Sequence, residues 1–162
     1  MVARRASDRP VSFPSDESWR ARNTSRLLYK AAWLFDQRIL AIVNRSGFSD
    51  IRVAQLHLPR NLDIDGTRLT VLAKRAEMSK QAMGELVDQC EKMHLVERRS
   101  DPQDHRAKIV VFTPRGRRLI EAVRAAVEQA ESEMAKKLGT KRAASLIAAL
   151  AVYCSDAPPA RG

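Results

Sequence analysis

The side chains able to do bond-making chemistry in this 162-residue chain are few and scattered. His57, His94 and His105 lie far apart and lack the spacing of a metal site. Cys90 and Cys154 are the only cysteines, too few for a disulfide framework. There is no Walker phosphate loop, nucleophile elbow or H-E-x-x-H string, so the expectation is a protein that is not an enzyme and has no metal or cofactor. What the chain does concentrate is positive charge. From Lys92 to Arg118, eight basic residues (Lys92, Arg98, Arg99, Arg106, Lys108, Arg115, Arg117, Arg118) face Glu97, Asp101 and Asp104, a net +5 in 27 residues. That is half of the excess of the whole chain, +10. Such a segment suits a polyanion, with nucleic acid the first expectation and an acidic membrane surface the second.

Composition narrows the class. With 44% apolar and 30% charged residues, most of the chain is globular. Its length fits one domain with extensions. No run approaches the roughly 18 apolar residues of a membrane span. The N-terminus lacks the apolar core of a secretory signal. The expected compartment is the reducing cytoplasm, with no membrane partner.

Positioning of the basic segment falls to a series of amphipathic elements. Residues 1–16 and 155–162 read as tails. From about 18 to 45, Leu28, Ala31, Ala32, Phe35, Ile39 and Ile42 recur at helical steps and form one apolar stripe. Ile51 to Leu62 reads as a shorter helix that Pro59 would kink. Asp63-Ile64-Asp65-Gly66 is a turn, and Thr67 to Ala76 a short helix. Ser79 opens a helix running to about Met93. At 100° per residue, Ala82, Met83, Leu86, Val87, Cys90 and Met93 fall within an arc of about 140°, and the polar residues fill the rest. Residues 95–112 then switch to short β-branched runs around a turn-rich stretch, a β-hairpin with a charged tip. Thr113-Pro114 is an N-cap followed by proline at the first helical position. A long helix to about Leu138 follows, then Gly139-Thr140, then an Ala-rich last helix to Cys154.

The fold class expected is mostly α with a small β-hairpin wing. A helix pair over 67–93 has helix-turn-helix proportions, and a three-turn helix fits the major groove of B-DNA. The bland alternative is a generic helical hairpin. The basic hairpin that follows favours the nucleic-acid reading, because it can straddle phosphates and send an Arg into the minor groove.

Residues 67–121 resemble the MarR (multiple antibiotic resistance regulator) family of winged helix-turn-helix transcription regulators. The resemblance is carried by Leu72-Ala73-Lys74-Arg75-Ala76 and by Met78-Ser79-Lys80-Gln81-Ala82-Met83-Gly84-Glu85-Leu86-Val87-Asp88. The Asp101-Pro102-Gln103-Asp104-His105-Arg106 wing and Thr113-Pro114-Arg115-Gly116-Arg117 complete it. It implies a dimerisation helix over 17–50, a DNA-binding lobe over 51–113 and C-terminal dimerisation helices over 114–154. Within the lobe the recognition helix would run from about 79 to 93 and the wing from about 95 to 112. It also implies residue roles. Ser79 would cap the recognition helix beside a phosphate, and Lys80 would contact phosphate. Gln81 would pair with adenine and Glu85 with a cytosine amino group, while Gly84 would admit close approach. Arg106 would enter the minor groove and Asp104 would orient the wing. Arg99, Lys108 and Thr70 are further phosphate candidates. Glu77 and His94 stand where the family often has glycine.

The same resemblance implies a homodimer on pseudo-palindromic double-stranded DNA, acting as a repressor, and a small aromatic effector near Trp33, Phe35 and His57. Cys90 falls on the apolar helix face, where a thiol is inert. Two other readings remain open at this point: a packaging or RNA-associated protein that binds nucleic acid without selectivity, and a winged-helix module that binds proteins.

Overall fold

The computed structural model describes residues 23–155. The expected N-terminal tail over 1–16 lies outside them, as does all of the C-terminal tail except Ser155. The described chain falls into two compact units, one ending at Leu34 and the other beginning at Phe35. The boundary lies within helix α1, Thr24–Arg45. In the first unit, Asn23 Oδ1 accepts a hydrogen bond from the Arg26 N–H at 2.8 Å, closing the first turn of α1. Its large side chains Leu27, Leu28, Tyr29, Trp33 and Leu34 are exposed. The stripe read from the sequence is therefore buried only in its later half, at Ile39 and Ile42.

The second unit is a winged helix with helical flanks. After α1 come a 3-10 turn, Val53–Leu56, and helix α2, His57–Asn61. One continuous helix was expected here, with Pro59 as the point of damage. Pro59 instead falls in the first turn of α2, where an N–H would have no helical acceptor, so the ring breaks nothing. Strand β1, Thr67–Arg68, precedes helix α3, Leu69–Arg75, and helix α4, Lys80–Lys92. Thr67 and Arg68 were expected to be helical. They pair instead with Val110 and Ile109, so the wing is a three-stranded sheet and not a lone hairpin. Strands β2, Val96–Ser100, and β3, Lys108–Phe112, make the rest of it, with β3 in the centre. Val96 lies opposite Phe112 and Ser100 opposite Lys108. Helices α5, Pro114–Leu138, and α6, Thr140–Ser155, end the described chain.

One apolar core joins these elements. Val43 of α1, Leu56, Leu72 of α3, Met83, Val87 and Cys90 of α4, Val110 of β3 and Ala126 of α5 are all 2% exposed or less. Each large member contributes about 1.5–3 kcal/mol of burial. The later part of α1 is also tied to α5 by a two-pronged ion pair, with Arg38 Nε at 2.6 Å from Glu133 Oε2 and Arg38 Nη2 at 2.5 Å from Oε1.

The tightest junction lies where β2 begins and α5 begins. Thr113 Oγ1 caps α5 by accepting the Gly116 N–H at 3.1 Å and donates to the carbonyls of His94 and Leu95. A Cβ on Gly116 would sit 1.9 Å from the Leu95 carbonyl oxygen. Backbone cannot yield by that much, so Gly116→Ala is expected to cost about 3 kcal/mol or more and to lower the melting temperature sharply. Thermal unfolding followed by circular dichroism checks this.

A second expectation concerns pH. The hydrogen bonds from Arg38 and then from Gln129 hold the Glu133 carboxyl down at about 2. A carboxylate depressed in the folded state stabilises above its unfolded pKa, and that stabilisation fades as pH falls toward the folded one. The melting-temperature gap between the wild type and Glu133→Gln should be constant above about pH 5 and close as the pH drops toward 2. Both groups are about one third exposed, so the gap should be small.

Candidate nucleic-acid interface

Helix α4 supplies the exposed face. Its apolar side points inward through Met83, Leu86, Val87 and Cys90, which leaves Gln81, Glu85, Asp88 and Lys92 on the opposite, exposed side. Ser79 caps it, its Oγ accepting the Ala82 N–H at 3.1 Å. Lys80 is exposed beside the cap and forms no ion pair with a described residue. Gln81 and Glu85, one turn apart, bond to each other, with Gln81 Nε2 donating to Glu85 Oε1 at 3.2 Å. The sequence reading had assigned each a separate partner base. In the free protein they satisfy one another, and either could exchange that bond for a base edge. Gly84 has only Leu69 Cδ2 near its missing Cβ, at 3.9 Å, so the fold itself makes no demand for glycine there.

Both ends of the α4 segment carry left-handed residues. Glu77 has φ 53° and His94 φ 56°. These are the two positions where the sequence has a side chain in place of an expected glycine. Main-chain bonds surround each: Met78 N–H donates to Ala73 O at 2.9 Å, and Leu95 N–H to Cys90 O at 2.9 Å. Each is thus the left-handed residue that closes a helix C-terminus.

The wing is held by Asp101, a residue of the wing motif to which the sequence assigns no separate role. Asp101 is buried at 6% exposure. Its Oδ1 accepts the Gln103 N–H at 2.8 Å, and its Oδ2 lies 2.7 Å from Arg68 Nε and 2.7 Å from Arg68 Nη2. The Gln103 N–H, and after it Arg68, hold the Asp101 carboxyl below the usual carboxylate range. Asp104 accepts the Arg106 N–H at 3.1 Å and lies 3.7 Å from Arg68. Ala107 and Asp101 close the loop, the Asp101 N–H donating to Ala107 O at 3.0 Å. Arg106 and Lys108 project from this frame, exposed and in no ion pair with a described residue. The repeated Asp of the wing motif was a signal for Asp101. Its partner Arg68 carries no such signal, because a two-residue strand shows no alternation.

Three other basic residues of the segment are occupied. Arg99 pairs with Glu97, its Nε at 2.7 Å from Oε1. Arg98 pairs with Asp88 and Glu91. Arg115 binds Asp50 at 2.9 Å and the Met93 carbonyl at 2.8 Å, with its guanidinium 5.9 Å from the Phe48 ring centroid. The charge count in the sequence therefore overstates the cations free to meet a polyanion. Thr70 is exposed on α3 with Val71, Lys74, Arg75 and Glu77 around a surface depression of ≈ 560 Å³.

The residues expected near an effector sit in different settings. Trp33 is exposed in the first unit, beside a surface depression of ≈ 580 Å³ lined by Arg26, Leu27, Tyr29 and Lys30. Phe35 is half-buried against the core of the second unit, and His57 is half-buried at the start of α2. Among the described residues, no group of three or more His, Cys, Asp or Glu is placed to hold a metal ion. No helix among them is long and apolar enough to cross a membrane.

Residues 59–107 match the model of the MarR family. No curated protein sequence matches the chain. Solved structures share its fold. RV1404 from Mycobacterium tuberculosis is 20% identical over 91% of this chain and 100% of its own, with a TM-score of 0.68. CouR from Rhodococcus jostii RHA1, bound to p-coumaroyl-CoA, is 20% identical over 85% of this chain and 96% of its own, with a TM-score of 0.67. An S. aureus MepR variant bound to an oligodeoxyribonucleotide is 23% identical over 83% of this chain and 97% of its own, with a TM-score of 0.54. At these identities the likeness is one of fold.

The left-handed Glu77 gives a direct test of the geometry. A non-glycine residue there costs about 1 kcal/mol, so Glu77→Gly is expected to raise stability by about that amount in urea unfolding. An unchanged or lower midpoint would mean that Glu77 does not hold a left-handed backbone.

Proposed function

From a winged-helix chain of the MarR family, matched to it over residues 59–107, we propose a homodimeric transcription regulator that binds double-stranded DNA at a pseudo-palindromic operator and acts as a repressor. One observation carries the reading. A capped helix exposes Gln81 and Glu85 on its outward face, while the wing beside it holds Arg106 exposed and in no ion pair with a described residue. A helix face lays hydrogen-bonding groups against base edges, and an Arg on a rigid loop suits a narrow minor groove. Lys80, Lys108 and Thr70 would contact phosphates around it, Arg99 after releasing Glu97. Gly84 would allow the helix close approach, and Asp104 would orient the wing.

Self-association is supported by apolar surface left exposed among the described residues. On α6, Leu146, Ile147, Val152 and Tyr153 are exposed while only Ala143 is buried. On the first unit, Leu27, Tyr29, Trp33 and Leu34 are exposed. Such faces mark contact surfaces. Release by a small aromatic effector, with Trp33, Phe35 and His57 as its contacts, is the regulatory part of the proposal. Its support is the resemblance together with CouR, a structure of the same fold bound to p-coumaroyl-CoA.

Selection of bound duplexes from a random pool tests the reading. The expected result is an inverted repeat with half-site centres about one helical turn apart. Arg106→Ala should weaken binding to the selected duplex by about 10- to 100-fold without lowering the melting temperature. Affinity should fall at least about a hundredfold between about 50 and 200 mM salt. Equal affinity for all duplexes would favour a non-selective nucleic-acid binder. Unchanged binding by Arg106→Ala would favour a protein-interaction module.

A further inference from the structure

We infer that Arg98 is a positioning residue that locks the exposed helix α4 to the wing at a fixed angle, and so determines how selectively the two act together. The inference rests on the DNA-binding reading for its functional consequence, although the lock itself is a property of the free protein. Asp88 and Glu91 lie three residues apart on the last turns of α4. Arg98 lies at the third position of β2. Its main-chain N–H donates to Glu91 Oε1 at 2.8 Å. Its guanidinium donates through Nη1 to Glu91 Oε2 and lies, through Nη2, 2.7 Å from Asp88 Oδ1. Glu91 thus binds the main chain and the side chain of one residue, and Arg98 spans two carboxylates of one helix. Arg98 and Glu91 are partly withdrawn from water, at 28% and 30% exposed, while Asp88 lies at the exposed edge of the cluster.

Two features make this a lock and not an ordinary surface pair. The contact joins the helix to the strand across a turn whose residues Met93 and His94 are already fixed by main-chain bonds, so little slack remains. The planar fork of an arginine can also hold two acceptors at once in a set orientation, which an ammonium cannot. The arrangement settles a tension in the sequence as well. Asp88 lies on the outward face, where a bare carboxylate would repel phosphates, and Arg98 neutralises it in place. The wing is anchored independently at its far end by Arg68 and Asp101, so a change at Arg98 should alter the angle of the wing without melting it.

Distances between nitroxides at Lys80→Cys and Gln103→Cys, in a Cys154→Ser background, read that angle by pulsed electron resonance. The expected distribution is narrow with Arg98 present and broadened in Arg98→Lys, which keeps the charge and loses the fork. Arg98→Gln should broaden it further. In binding, Arg98→Lys should keep its affinity for unrelated duplex within about twofold while losing about tenfold in preference for the selected duplex. An unchanged distance distribution in a folded Arg98→Lys would overturn the lock, whatever the binding result. A broadened distribution, with no duplex preference even in the wild type, would uphold the lock and refute the DNA reading.

Discussion

The main chain at Leu95 serves three elements at once. Its N–H closes the end of α4 on the Cys90 carbonyl, and its own carbonyl accepts the Thr113 N–H at 3.1 Å. The same carbonyl lies so close to Gly116 that α5 starts directly against it. The Leu95 side chain is 1% exposed, inside the core. The helix that faces outward, the strand that begins the wing and the long helix that leaves the lobe therefore share one fixed point. None of them can leave that point alone, because buried main-chain groups that lose their partners are costly to leave unpaired, and side-chain contacts such as Arg98 set the angle about it. The left-handed His94 is the local cost of bringing the chain around that point.

Charge is distributed according to the same frame. Arginines at the base of the lobe are spent on architecture: Arg68 under the wing, Arg98 between helix and strand, Arg115 against Phe48 and Asp50. Basic residues at the rim, Lys80, Arg106 and Lys108, have no acidic partner among the described residues. Asp and Glu side chains are placed where an arginine needs holding, so acidic residues inside a basic segment strengthen its shape while leaving its edge cationic. This also explains why Asp101 is buried and Asp104 is not. The first supports Arg68 and the turn together, while the second caps the loop nearer its tip.

Much of this organisation was legible in the residues. The 3.6-residue spacing from Met83 to Cys90 fixed the inner and outer faces of α4, because burial on a helix follows from periodicity alone. Thr113-Pro114 located the start of α5 for a local reason, a hydroxyl cap and a proline that needs no N–H acceptor. Glu77 and His94 stood out because side chains occupied places where glycine was expected, and both are left-handed. The losses were non-local. Thr67 and Arg68 are too short a run to show strand alternation, and only pairing with Val110 and Ile109 makes them β. Gln81 and Glu85 have the right spacing for a mutual bond, yet no residue pattern ranks that bond above a partner base. The exposure of Leu28, Ala31 and Ala32 could not be read from the α1 stripe, since periodicity says which face is apolar and not what covers it.

Burial gives Cys90 a property unrelated to recognition. The thiol is fully enclosed, and desolvation pushes it up to about 12, so almost none of it ionises at neutral pH. Nucleophilic sulfur chemistry runs through the thiolate, which makes this atom silent while the lobe is closed. A sulfhydryl reagent can reach it only in molecules whose α4 has momentarily left the core. Its rate of modification is then a clock for the rare opening of the lobe, set on the inner face of the last turn of α4.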